Sequence, residues 1–256
     1  MLSFDLRDSI ALIRLDRPEK LNALTGAMMA ELGEWFEGLK REPTVHAVIL
    51  SGAGESAFSV GSDHEELSTI GTKETKLLRE HGRKLCALIE GCGVPVIAAI
   101  NGLASGGGLE LALACHIRFA STAARFSLSG IEFGTPIFLA QPQGFDVAND
   151  VRRAVEMILA GAQMSAEDAR RCGLVNRVVL PSHLLAEAES LAREISRLAP
   201  IAIRACLEAV TRGINLTLAE GLELETELFS QLFTTEDMRE GTLAFLEKRA
   251  PLFKGK

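Results

Sequence analysis

No C-x-x-C pair occurs in this chain. Its five cysteines, Cys86, Cys92, Cys115, Cys172 and Cys206, are odd in number and scattered. Such a set fits reduced thiols that fill core space, rather than a disulfide framework or a zinc knuckle. Cys115 and His116 adjoin, but two neighbouring ligands do not make a metal site. No basic run interleaves with aromatics, and a net charge of −7 gives no electrostatic footprint for nucleic acid. The longest apolar runs are too short to span a bilayer. The first residues, Met1-Leu-Ser-Phe-Asp-Leu-Arg-Asp8, carry charges where a secretory leader has an apolar segment. These absences lead us to expect a soluble, cytoplasmic protein with no membrane or nucleic-acid partner.

Apolar residues, in contrast, make up 47% of the 256 positions. That is ample for one large domain, or a core with a small appendage. The most informative stretch runs from Ala98 to Cys115. Pro95-Val-Ile-Ala-Ala-Ile100 reads as a buried strand, Asn101-Gly102 as a turn, and Gly106-Gly107-Gly108 leads into the helix-forming run Leu-Glu-Leu-Ala-Leu-Ala114. A strand, a glycine turn and a helix leave free amides at the helix start, aimed at negative charge. Glu110 sits in that first turn. Triple glycine also allows close packing, and an acid there is a common partner of the helix dipole. No Lys-Ser/Thr follows the glycines, which argues against a phosphate loop.

Elsewhere, strands at Ile10–Leu15, Val45–Ser51, near Ala57, Ile117–Ser121 and Ala124–Leu128 alternate with helices over Ala27–Lys40 and Glu74–Glu90. Helices over Val151–Ala160 and Ser165–Cys172 and a short strand at Asn176–Val179 follow. Beyond Pro181 the pattern is helical throughout: Leu184–Leu198, Ile201–Arg212, Leu218–Phe233 and Asp237–Lys248. The expectation is an α/β core over residues 1–183 and a helical region over 184–256 that serves oligomerisation or covers the active site.

Five segments together resemble the crotonase superfamily, the enoyl-CoA hydratase/isomerase family. They are Arg17-Pro-Glu-Lys-Leu-Asn-Ala23, Ala57-Phe-Ser-Val-Gly-Ser-Asp63, Ile100-Asn-Gly-Leu-Ala-Ser-Gly-Gly-Gly-Leu-Glu-Leu-Ala112, Gly161–Val175 and Phe245–Lys254. They occur in the family's order and at its separations over nearly the whole chain. The resemblance implies a spiral of repeated ββα units. It implies an acyl-CoA thioester as substrate with no bound cofactor, and a homotrimer or dimer of trimers with C-terminal helices at the contacts. CoA is then expected along Arg17, Lys20, Ala23, Ser62, Asp63, His64 and Glu65, with Lys254 near its phosphates.

By the same resemblance, the backbone N–H groups of Ser62 and Gly107 form an oxyanion hole, and Glu110 is the proton-transfer group. Asp63 is expected to fix its loop rather than react. Donors that meet charge as it develops on a thioester oxygen stabilise the enolate without reorganising. Leu109, Leu111 and Leu113 around Glu110 suggest partial desolvation and a raised pKa. One departure stands out. Hydratases of this family carry a second glutamate in a Phe-x-x-Pro-Glu pattern, and here Phe126-Ser-Leu-Ser-Gly130 puts glycine in its place. Glu132 follows two residues later, displaced by about 6–7 Å in an extended segment. Asp146 and His64 are further candidates for the missing acid. One base carries a proton between two carbons, whereas syn hydration needs more, so isomerase competes with hydratase. A crotonase-like hydrolase or decarboxylase and a non-catalytic acyl-CoA-binding protein are the alternatives.

Overall fold

The computed structural model describes residues 1–128, 130 and 155–256. Two sheets organise it. The larger contains β1 (Leu2–Arg7), β2 (Ile10–Leu15), β3 (Ala47–Gly52), β5 (Val96–Ile100), β7 (Ile117–Ser121) and β10 (Arg177–Val179), in that spatial order. The smaller contains β4 (Ala57–Ser59), β6 (Leu103–Ser105), β8 (Arg125–Ser127) and β9 (Met164–Ser165). The β1–β2 hairpin is antiparallel, and every later pair in the large sheet is parallel. In the small sheet β4, β6 and β8 run parallel and β9 closes antiparallel.

The chain visits the sheets alternately. β3 enters the large sheet and β4 the small one, then β5 and β6, then β7 and β8. Helix α3 (Thr72–Glu90) follows the first pair and α4 (Gly107–Ala114) the second. Each turn is thus strand, strand, helix, and the turns stack as a spiral, as expected. Composition explains the layering. β3 and β5 are buried along their whole lengths, as apolar strands covered on both faces must be. One core lies between the sheets and helices α1 (Gly26–Leu39), α3 and α4, and includes Phe36, Leu50, Phe58, Ile89, Leu109 and Phe126.

A second core lies on the other face of the large sheet. Ile10, Ile49, Ile97 and Phe119 meet Leu184, Ala188 and Ala192 of the Leu184–Ile195 helix. The sequence reading placed the helices from Leu184 onward apart from the spiral. For this one the structure corrects it: a four-residue repeat with two alanines gives a narrow face that lies close on the sheet. The helices Pro200–Gly213, Leu218–Leu232 and Glu236–Glu247 follow. They leave large apolar side chains in solvent: Val210 is 71% exposed, Leu218 81% and Phe245 82%.

Candidate active site

Because β4, β6 and β8 are parallel neighbours, the loops that leave their carboxyl ends emerge along one edge. Ser62 lies three residues past Ser59, the end of β4. Gly107 lies two past Ser105, the end of β6. Gly130 lies three past Ser127, the end of β8. Register fixes this, since Ser105 is paired with Ser127 and Ala104 with Ser59. The spiral therefore brings together residues that are 45 and 23 positions apart in the chain.

The first two loops touch. Gly61 has φ +86°, and a Cβ there would fall 2.7 Å from Gly107 N and 3.0 Å from the Ser105 carbonyl oxygen. Only glycine lets the chain run this close to the second loop. Gly107 is the first residue of α4, so its N–H has no intrahelical acceptor. Gly106 reaches that position with φ 49°, and its N–H donates to the Ser127 carbonyl at 3.0 Å. Gly108 packs so tightly on β4 that a Cβ would meet the Ser59 carbonyl oxygen at 2.1 Å. Glu110 is one turn further on and 2% exposed. It shares this edge with Ser62, 5% exposed, and with buried Gly107 and Gly130.

Ser62 is held from both sides by one residue. Leu24 N–H donates to the Gly61 carbonyl at 2.7 Å, and Asp63 N–H donates to the Leu24 carbonyl at 2.9 Å. Asp63 then caps the short helix α2 (His64–Leu67), accepting from the amides of Glu65 and Glu66. Its carboxylate also takes a hydrogen bond from Arg17 Nη1 at 2.8 Å. Burial alone would raise the Asp63 pKa, but the Arg17 bond and the Glu66 and Glu65 amides more than offset it, and the group is held below the usual carboxylate range.

The other expected CoA contacts divide. Lys20 is paired with Glu65, whose hydrogen bond and charge raise the pKa of the exposed ammonium. The Ala23 carbonyl accepts from Arg17 Nη1 at 3.0 Å. His64 is exposed at the start of α2. Lys254 lies on the C-terminal tail, where its amide donates to Asp237 at 2.6 Å. Glu132 and Asp146 fall outside the described residues. Among those described, no group of three or more His, Cys, Asp or Glu is placed to hold a metal, and no helix is long and apolar enough to cross a membrane.

A family model described as enoyl-CoA hydratase/isomerase matches residues 5–256. The chain belongs to the enoyl-CoA hydratase/isomerase family. It is 35% identical over 240 residues to a short-chain-enoyl-CoA hydratase of Clostridium acetobutylicum, covering 94% of this chain and 92% of that one. It is 35% identical over 254 residues to an (E)-benzylidenesuccinyl-CoA hydratase of Thauera aromatica, covering 99% of both. A crystal structure of an enoyl-CoA hydratase from Bacillus anthracis superposes with a TM-score of 0.95 at 35% identity, covering 100% of this chain and 99% of that one.

Two asparagines, Asn22 and Asn101, the second expected only as part of a turn with Gly102, support this hydratase/isomerase fold at the site. Asn22 Nδ2 donates to the carbonyls of Ala53 and Ala57, and Asn101 Nδ2 to those of Gly54 and Ala57. Asn101 Oδ1 accepts from Gly52 N–H, and Asn22 Oδ1 from Arg17 N–H. Both converge on Ala57, the first residue of β4, and so fix the strand that delivers Ser62. Leu21 and Asn22 carry φ of 51° and 56°, a conformation asparagine tolerates better than most residues. In the sequence the Asn101-Gly102 pair was the only local signal. Apart from the Arg17 bond, these bonds join residues 31 to 49 positions apart, which no pattern in the sequence reports. A buried hydroxyl pair, Ser105 Oγ to Ser127 Oγ at 3.2 Å, ties β6 to β8 just before the glycine turn. Cys86 lies on the Glu110 side of the core. Burial, and then the charges of Glu110 and Glu90, push its thiol up to about 12, which leaves it protonated and inert.

Proposed function

We propose that this protein acts on acyl-CoA thioesters, stabilising an enolate with the N–H groups of Ser62 and Gly107 and moving a proton with Glu110. One observation carries the reading: Gly61 passes so close to Gly107 N that any Cβ would collide with it, while buried Glu110 sits one turn along the helix that Gly107 starts. A carbonyl oxygen placed between the two amides meets two donors and the positive end of α4. The Glu110 carboxylate takes a proton from carbon, the electron pair moves onto the thioester oxygen, and the proton returns to the same or another carbon. CoA is the substrate's handle, and the thioester supplies the acidity.

Gly130 occupies the place of the family's second carboxylate, which favours one-base proton transfer between carbons over addition of water. The test is a panel of 2-enoyl- and 3-enoyl-CoA substrates followed for hydration, for double-bond migration and for deuterium uptake from D2O. Deuterium uptake or migration that is lost in Glu110→Gln supports the reading. CoA binding with no turnover or exchange on the whole panel would leave an acyl-CoA-binding protein instead. The apolar surface of the last three helices supports a trimer or dimer of trimers with those helices at the contacts. Light scattering at micromolar concentration that gives a monomer refutes that assembly.

A further inference from the structure

We infer that Arg17 is a positioning residue, which holds the loop carrying Ser62 through Asp63, and not a ligand of the CoA phosphates. The inference rests on the oxyanion-hole reading above. Arg17 Nη1 donates both to Asp63 Oδ2 at 2.8 Å and to the Ala23 carbonyl at 3.0 Å. These two partners bracket Leu24, which in turn bonds Gly61 through its N–H and Asp63 through its carbonyl. Arg17, Ala23, Leu24 and Asp63 thus form a closed ring of bonds, and Leu24 also holds Gly61, so both chain neighbours of Ser62 are fixed. Asp63 adds two bonds to the start of α2, which anchors the far side of Ser62.

Exposure separates Arg17 from its neighbour Lys20. The Arg17 and Asp63 side chains are 16% and 7% exposed, whereas those of Lys20 and Glu65 are 43% and 76% exposed. A pair in solvent exchanges partners readily and contributes little. A covered pair does not open cheaply, because each partner would leave an unpaired charge. Lys20 is therefore the cation of this loop that is free to turn to an incoming phosphate, while Arg17 is committed to Asp63.

The two roles predict opposite kinetics. A phosphate ligand contributes uniform binding, so its loss raises KM and leaves kcat. A positioning residue sets where the Ser62 amide points, and a misplacement of about 1 Å can cost about 100-fold in rate.

The experiment compares Arg17→Met, Arg17→Lys, Asp63→Asn and the Arg17→Met/Asp63→Asn double variant. It uses the enoyl-CoA that the wild-type protein turns over best, with free CoA binding by calorimetry at low and high salt. Arg17→Met and Asp63→Asn are expected to lower kcat about 10- to 100-fold and to leave CoA affinity within about threefold at either salt. Arg17→Lys, which keeps a donor and the charge, should recover at least part of kcat. The double variant should be no slower than the slower single, since both remove one linkage. A CoA affinity that falls tenfold or more at low salt in Arg17→Met, with kcat intact, overturns the inference. If Arg17→Met does not fold, Arg17→Lys decides: a KM effect without a kcat effect refutes positioning. Gly61→Ala separates this result from the parent reading. Full activity there removes the oxyanion hole itself, whereas an inactive Gly61→Ala beside kcat-neutral Arg17 variants removes only the role of Arg17.

Discussion

Replacing Gly61 with alanine tests the oxyanion reading without touching a titratable group. The added methyl would sit 2.7 Å from Gly107 N and 3.0 Å from the Ser105 carbonyl oxygen. Both neighbours are backbone, so neither can rotate away as a flexible side chain would. Gly61 also has φ +86°, and holding a residue with a Cβ in the left-handed region costs about 1–2 kcal/mol. Relief requires the two loops to part, which separates the Ser62 amide from that of Gly107. Loss of one oxyanion donor costs about 10²–10³ in kcat, or about 2.7–4 kcal/mol of transition-state stabilisation. Gly61→Ala is therefore expected to lose that much in kcat and to lower the melting temperature modestly. Gly173→Ala is the control. Its φ is +80° and a Cβ there meets nothing within 4 Å, so it carries the conformational cost alone. Steady-state turnover, circular dichroism and thermal melting are measured on both. A folded Gly61→Ala protein whose kcat stays within about threefold of wild type is incompatible with catalysis by these two amides.

Glu110→Gln should lower kcat by about 10²–10⁴, the usual contribution of a general acid or base, while calorimetry still finds CoA bound; undiminished turnover would remove Glu110 from the mechanism. Gly130→Glu should raise hydration of a short 2-enoyl-CoA if the missing carboxylate is what limits it, and no gain in a folded variant would place the limit elsewhere. Charge reversal at Lys20 should weaken CoA binding more at low salt than at high. Unchanged affinity at low salt would reduce Lys20 to a surface charge paired with Glu65.

What the sequence disclosed follows from the range of each interaction. The β5, glycine turn and α4 stretch was legible because each step is local: an apolar run, a turn pair, glycines, then helix formers. The resemblance supplied the spiral. The small sheet was harder to read, since β4, β6 and β8 are three residues each and β9 only two, too short for a period to register. Strand β1 was overlooked although Leu2, Phe4 and Leu6 alternate with Ser3, Asp5 and Arg7. Phe4 and Leu6 remain 44% exposed, so the strand is defined by pairing with β2 more than by burial. At the site, Arg17 and Asp63 were read as CoA contacts. Their mutual bond spans 46 positions, and only the folded chain shows that they meet.

The Cys115-His116 pair, unconvincing as a metal site, leads to a final prediction about acid stability. His116 Nδ1 accepts the Val96 N–H at 3.0 Å. That nitrogen must be unprotonated, so the ring proton is on Nε2, which donates to the Glu90 carbonyl at 3.1 Å. The bond ties the first residue of β5 to the residue before β7, its parallel neighbour in the large sheet. Protonation would put a second N–H against that of Val96. Burial lowers the His116 pKa most, its bond to the Glu90 carbonyl raises it, and the Arg118 charge lowers it, for a net fall below 6.5. A histidine depressed in the folded state contributes stability that is complete above the unfolded pKa. That stability is lost as pH falls through the folded value, because the unfolded chain binds the proton first. The limiting slope is about 1.4 kcal/mol per pH unit for one proton. Neighbouring groups do not imitate this. Arg118 stays charged throughout, burial keeps the Cys115 thiol protonated, and burial raises the Glu90 pKa, so the Glu90 contribution is lost as pH rises. His116→Asn offers Val96 an oxygen acceptor that does not titrate. The difference in melting temperature between wild type and His116→Asn should therefore change as pH falls from about 7 to about 5, wild type losing ground. A difference that is constant across that range would show that His116 is not the group that titrates.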